Sequence, residues 1–293
     1  MVLRPPKKSP KTLWIVLLGM MLAGLLVWLW PSPEPAYKGK KLKAWVELMY
    51  SNQNPQAQSE TAEALRAIGT NALPYLVRLM RAKDSLLRTR LIDLLESQDV
   101  IHLQVTRGNR KNAMGRQAFK ALGAIATPAV PRLVPLLSDP VLGAEASEAI
   151  KLVGTNSVPG LLQGMSNSDG QVRAHVALLL AYFHEYATPA VPALIKDLSD
   201  TNAWVRSCAA YALGEIRQEP LRVIPALMPG LRDKAPQVRI WTATALSQFE
   251  GQATSAVPLL LKALQDSDSH VVLQAQRALK MIDPEAATHA GVK

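Results

Sequence analysis

Four arginines at matched positions, Arg88, Arg173, Arg206 and Arg239, are the first side chains in this 293-residue sequence whose type and spacing could do chemistry. A guanidinium presents a planar fork of N–H donors that matches phosphate or carboxylate oxygens, so a regular row of them could read a phosphate backbone. Asp200 and Asp233, however, each precede the next arginine by six residues, close enough across a tight turn for an ion pair or a cap. The spacing therefore favours internal pairing over ligand recognition. The other reactive side chains are scattered. His102, His175, His184, His270 and His289 show no zinc-ligand spacing. Cys208, the sole cysteine, falls at the repeat position that holds His175 and Trp241 elsewhere, which reads as a packing or edge site instead of a reactive thiol. The sequence has no Gly-x-Ser-x-Gly, phosphate loop or dinucleotide fingerprint, and Gly214, Gly230 and Gly251 fit helix ends. Neither catalysis, nor a cofactor, nor a metal, nor a small-molecule substrate is expected.

The elements that hold these residues follow from a ruler of 33 residues. Val172-Arg173, Val205-Arg206 and Val238-Arg239 keep that period, as do Pro192, Pro225 and Pro258, and Asp200, Asp233 and Asp266. Three residue types on one period mark a stacked repeat, and 33 residues suffice for one helical hairpin. Upstream, Pro74, Pro131 and Pro159 follow similar phrases, at steps of 57 and 28 residues. The longer step leaves room for a degenerate unit without its proline, whose first helix begins at Leu87-Arg88. Relative to each proline, large apolar residues fall one before and two, three and six after, as in Leu73, Leu76, Val77 and Met80, or Val191, Leu194, Ile195 and Leu198. That is the stripe of an amphipathic helix, with proline in the first turn, where its missing N–H has no partner to lose. Ahead of it runs an alanine-rich helix such as Val205 to Gly214, whose small residues permit close helix approach. A last helix of the first type, Ser269 to Ile282, closes the array. The expected fold is all-α, a right-handed α-solenoid of about seven helical hairpins over residues 55–293.

The pattern Asp-x-x-x-x-Val-Arg, then Ala-Ala-x-Ala-Leu-Gly, then Ala-Val-Pro-x-Leu resembles the HEAT-like repeats of the phycocyanobilin-lyase type, with Asp200 to Leu227 the best copy. The resemblance covers roughly residues 55 to 283. It implies a scaffold, adaptor or assembly factor, and only some branches of that class carry chemistry. The alternative it leaves open is an assembly factor or bilin-lyase-like enzyme acting on a partner protein. The single His184-Glu185 pair is similar to one element of the HEAT-like deoxyhypusine hydroxylases, which bind a di-iron centre through several such pairs. One pair does not supply a two-metal site.

The front of the chain has a different character. Residues 1–11 form a basic tail, and Thr12 to Trp30 is a run of 19 uncharged residues with Trp14, Trp28 and Trp30 near its ends. As a helix it spans about 28 Å, near a bilayer's roughly 30 Å hydrocarbon core. The expectation is a transmembrane signal anchor, since the run exceeds a signal-peptide core and ends without small residues. The localisation expected from it is single-pass, with the N-terminus cytoplasmic and the solenoid extracytoplasmic, periplasmic in a bacterium. Residues 31–54 read as a Pro-rich spacer and a capping helix, Leu42 to Met49, with Leu42, Trp45, Val46 and Met49 on one face. Tyr37 to Lys41 is basic and reads as either a head-group contact or a solvated hinge.

Charge restricts the partner. Of the net charge of +10, residues 1–43 carry +7 and the remaining 250 carry +3. So nearly neutral a solenoid is no electrostatic footprint for nucleic acid. An unidentified protein partner is expected, on the inner face formed by the second helices. Positions one and four after the proline avoid the packing stripe there: Tyr75, Arg78, Arg132, Gln163, Lys196 and Lys262. A second candidate is the basic stretch Arg107, Arg110, Lys111 and Arg116 in the irregular unit.

Overall fold

A computed structural model describes residues 34–85, 87–90 and 107–292. Helical hairpins follow one another along the chain. The first helices are α2 (Pro55–Ile68), α4 (Gly108–Leu122), α6 (Gly143–Val153), α8 (Gly170–Tyr182), α10 (Ala203–Ile216), α12 (Pro236–Ser247) and α14 (Ser269–Ile282). The second helices are shorter: α3 (Leu73–Met80), α5 (Val130–Leu133), α7 (Val158–Gly164), α9 (Val191–Asp197), α11 (Pro220–Leu227) and α13 (Val257–Ala263). A short α15 (Pro284–His289) ends the described chain, and α1 (Leu42–Ser51) opens it behind a two-stranded ribbon, β1 (Ala36–Tyr37) and β2 (Lys40–Lys41). Of the degenerate unit, residues 87–90 are helical, and most of the rest lies outside the described residues.

Sequence dictates these elements locally. Pro74, Pro131, Pro159, Pro192 and Pro258 each sit in the first turn of a second helix. Pro225 differs. It lies inside α11, because that helix starts one turn early at Pro220. First helices begin on side-chain caps: Asp169 accepts from the Gln171 N–H at 2.8 Å, Asn202 from Trp204 at 2.9 Å and Asp268 from His270 at 2.9 Å. Three first helices lack such a cap: α4 starts after Arg107, α6 after Leu142, and α12 after Ala235, where Pro236 takes the first helical position.

The core is a continuous strip of alanine, leucine and valine. Leu73, Leu76, Val77 and Met80 are all buried, whereas in α9 Val191 and Leu194 are buried and Ile195 and Leu198 only half so. The first helices α8, α10, α12 and α14 pack directly on one another. Gly214 shows how closely. It stands inside α10 instead of at a helix end, and a Cβ there would come within 2.7 Å of the Ala245 Cα in α12. The helices α6 and α8 do not pack on each other in this way, at the one short step of 28 residues.

The expected capping face is buried in α1: Leu42, Trp45, Val46 and Met49 are at most 4% exposed. Tyr37 to Lys41 forms the ribbon and its turn, with Lys38, Lys40 and Lys41 exposed. The turn places Lys38 and Gly39 at positive φ (47° and 76°). The Tyr37 hydroxyl donates to Glu63 at 2.8 Å, Lys38 pairs with the same carboxylate at 3.3 Å, and Lys40 lies 4.6 Å from the Trp45 ring centroid.

The expected transmembrane helix and the localisation built on it are corrected. Residues 12–30 lie outside the described residues, and among the described residues no helix is long and apolar enough to cross a membrane. Length and charge explain this. The longest, α4, has 15 residues, about 22 Å at 1.5 Å per residue, against a hydrocarbon core of roughly 30 Å. It also carries Arg110, Lys111, Arg116 and Lys120. The single-pass placement with an extracytoplasmic solenoid falls with the helix.

Candidate functional site

The arginine ladder resolves first, because it determines which cations remain for a partner. Arg206 is 6% exposed. Its Nη1 donates to the Asp200 carbonyl at 2.8 Å, in the turn of its own repeat, while Nε and Nη2 grip both carboxylate oxygens of Asp233 at 2.7 Å in the next. Arg239 repeats the arrangement on the Asp233 carbonyl at 2.8 Å and on Asp266 at 2.8 and 2.7 Å. Arg173 reaches the Asn167 carbonyl at 2.7 Å and the Asp200 carboxylate. Pairing is therefore internal, as expected, but the partner lies 27 residues ahead instead of six behind. Each aspartate also accepts the N–H two residues on, as Asp233 does from Ala235 at 2.8 Å. For Asp200 and Asp233 burial works against ionisation, yet these hydrogen bonds and the guanidinium charge outweigh it and hold the carboxyls below their ordinary value. For Asp266 the Arg239 hydrogen bonds dominate, with the same outcome.

The second-helix row lies outside this ladder. Arg78, Arg132, Gln163, Lys196 and Lys262 are exposed and Tyr75 is half-buried. The structure joins two of these to the basic stretch. Tyr75 and Arg78 of α3, Lys111 of α4, Lys43 of α1, and Arg81, Lys83 and Arg88 beyond α3 line one pocket of about 520 Å³. Lys83 pairs with Asp139, Arg88 with Asp84 at 3.2 Å, and Lys43 with Glu47 at 3.9 Å. Arg78, Arg81 and Lys111 have no acidic partner among the described residues. Arg78 lies 5.2 Å from the Tyr75 ring centroid, and Arg81 donates to the Arg132 carbonyl at 3.2 Å. Burial first, and Glu47 second, push the Tyr75 phenol above its ordinary value. The other basic candidates point elsewhere: Arg110 lies over the Tyr50 ring at 5.3 Å, Arg116 pairs with Glu145 at 3.2 Å, and Arg107 is half-buried at the start of α4.

A groove on the other helical layer was not foreseen. It measures about 430 Å³ and opens where α6 and α8 fail to pack, lined by Lys151, Leu178, Tyr182, His184, Tyr211 and Glu215. Tyr182 and Leu178 are exposed, and Lys151 sits 5.0 Å from the Tyr182 ring centroid. Tyr182 and Tyr211 were signals in the sequence, being aromatics in first helices otherwise rich in alanine. The remaining reactive groups are structural or exposed singly. Cys208 is 5% exposed, and burial pushes its thiol up to about 12, so the thiolate needed for nucleophilic chemistry is not formed. His175 bonds to the Gln171 carbonyl at 2.8 Å and meets Trp204 edge-on at 4.8 Å. His184 and Glu185 are exposed at the start of the 3-10 helix His184–Ala190, and no cluster of three or more His, Cys, Asp or Glu suited to a metal occurs among the described residues.

Stacked helical hairpins tied turn to turn define a helical-repeat protein. The family model for HEAT repeats matches residues 158–246 and 224–290, and this chain is a HEAT-repeat protein. No curated protein matches it over its length or any part. Among solved structures it is similar to a Kap121p mutant, with 15% identity and a TM-score of 0.53, covering 97% of this chain and 31% of that one. It is also similar to a chain from the complex of CpcE and CpcF of phycocyanin lyase from Nostoc sp. PCC7120, with 22% identity and a TM-score of 0.46, over 52% of this chain and 98% of that one. At 15% identity the likeness to the Kap121p mutant speaks to fold alone. A HEAT stack of this kind is a scaffold suited to protein binding.

Proposed function

We propose that this protein is a non-catalytic scaffold that holds a protein partner along the exposed row of its second helices. The observation that carries this is the division of side chains along α3 to α13. The stripe facing the core is buried or half-buried, and Arg173, Arg206 and Arg239 of the first helices are consumed in inter-repeat pairs. A polar residue of the row (Arg78, Arg132, Gln163, Lys196, Lys262) stays exposed on five of the six second helices. Such a row offers regularly spaced contacts on a stiff support, which lowers the ordering cost of binding. Domain boundaries at residues 31–54 for the spacer and cap and 55–293 for the solenoid belong to the same proposal.

A photoreactive residue introduced at positions 163, 196 and 262 of the full-length protein tests it in the source cell. The reading requires adducts with one and the same partner from all three. Adducts arising instead from positions 178 and 273, which are exposed on first helices, would move the binding surface to the other layer. A colour change on mixing with a bilin and an apoprotein would favour the lyase-like alternative over a scaffold.

A further inference from the structure

We infer that the pocket between α1, α3 and α4 is an anchor for a carboxylate-rich segment of the partner. The inference rests on the scaffold reading and adds the chemistry of the ligand. Lys43, Lys83 and Arg88 at its rim already hold Glu47, Asp139 and Asp84. Arg78, Arg81 and Lys111 do not, and they share the pocket with the half-buried Tyr75. Arg78 and Arg81 are exposed and Lys111 is half-buried, so three cations without an acidic partner among the described residues line one cavity, and the positive potential they focus there suits an anionic ligand. A planar guanidinium fork suits a carboxylate bidentately, and the Tyr75 hydroxyl adds a neutral donor.

The shape favours a peptide over a polynucleotide. A duplex is gripped by many phosphate contacts along a track, but outside this pocket the row offers a single base per repeat and none in α7, where Gln163 stands, or at Pro229 in the turn after α11. A cavity of about 520 Å³ takes a few side chains.

The test is fluorescence anisotropy of the full-length protein with a labelled decapeptide of alternating Glu and Ser, beside the same peptide with Gln for Glu. The Glu peptide binds, the Gln peptide does not, and binding weakens as salt rises. Arg78→Glu with Lys111→Glu lowers affinity by at least about tenfold and transfers it to a Lys-Ser peptide. Arg78→Gln with Lys111→Gln gives the intermediate loss, should the double reversal fail to fold. Equal binding of the Glu peptide by wild type and variants, tighter binding of a single-stranded oligonucleotide, or displacement by millimolar inorganic phosphate alone would overturn the assignment. Retained crosslinks at 163, 196 and 262 without peptide binding would remove the anchor and leave the scaffold. Peptide binding without those crosslinks would do the reverse.

Discussion

The repeats from Asp169 to Ile282 and the junction between α3 and α4 do the same mechanical work with opposite chemistry. In the former, the carbonyls of each turn and the start of the next repeat are clamped together by one arginine, whose charge is cancelled by an aspartate across the boundary. In the latter the clamp is neutral. The Asn112 amide, 4% exposed, lies within hydrogen-bond distance of the Leu79, Met80 and Ala82 carbonyls at 2.9, 3.0 and 3.2 Å, capping α3 from α4. A neutral clamp frees the neighbouring bases, and Arg78, Arg81 and Lys111 face a pocket instead of an aspartate. Cations in the regular part hold the solenoid together, whereas at the junction Arg78 and Lys111 have no acidic partner among the described residues.

The comparison breaks most visibly at Arg206. Arg206→Ala removes a buried guanidinium and strands the half-buried Asp233 carboxylate, and is expected to cost about 3 kcal/mol in thermal or denaturant unfolding. A loss no larger than that of an exposed residue would show that the ladder is incidental. Leu194→Ala and Leu227→Ala, both at 0% exposure on buried stripes, should cost about 2–5 kcal/mol by the same measurement. Asn112→Ala should cost about 1–3 kcal/mol through the carbonyls it leaves unmet.

Acid sharpens the contrast. Asp200, Asp233 and Asp266 are held below their ordinary value in the folded state, so the stability they add is present above about pH 4 and is lost as pH falls through their folded values. Asp197 has the opposite sign. Burial, with the Asp200 charge adding to it, raises its carboxyl, and its Oδ2 has no hydrogen-bond partner. Its ionised form is therefore a cost at neutral pH that disappears on protonation. Asp233→Asn should flatten the acid limb of a stability–pH curve, whereas Asp197→Asn should raise Tm at pH 7 and leave it unchanged near pH 3. At the small end, Lys196→Ala or Lys262→Ala should alter stability by no more than about 0.5 kcal/mol while weakening the partner crosslink.

Much of this architecture could be read in the sequence, because a period of 33 residues repeats the same local instruction: a polar cap, an alanine-rich helix, a proline, an apolar stripe. The buried face of α1 was equally legible from the spacing of Leu42, Trp45, Val46 and Met49. Arginine pairing was legible in kind but not in partner, since spacing along the chain says nothing of which turn lies above which. One signal was there. Aspartate persists to Asp266 while arginine stops at Arg239 and Val272 follows, the offset expected when each arginine reaches one repeat ahead. The pocket was only half legible. Arg78 and Lys111 stood in two separate candidate patches, and joining them needs the packing of α3 on α4, which follows from the buried Asn112 instead of from any periodicity. The groove at Tyr182 and Tyr211 arises from a missing contact, and a missing contact leaves no mark in a repeat pattern.

The central claim is that the junction cations serve a ligand and not the fold, and thermal denaturation of Arg78→Ala with Lys111→Ala tests it most directly. With neither residue paired to an acid, the double variant should melt within about 0.5 kcal/mol of wild type, or slightly above it through relief of repulsion, while Arg206→Ala beside it melts far lower. A loss in the double variant approaching that of Arg206→Ala would contradict the account, because these two cations would then be part of what holds α3 to α4.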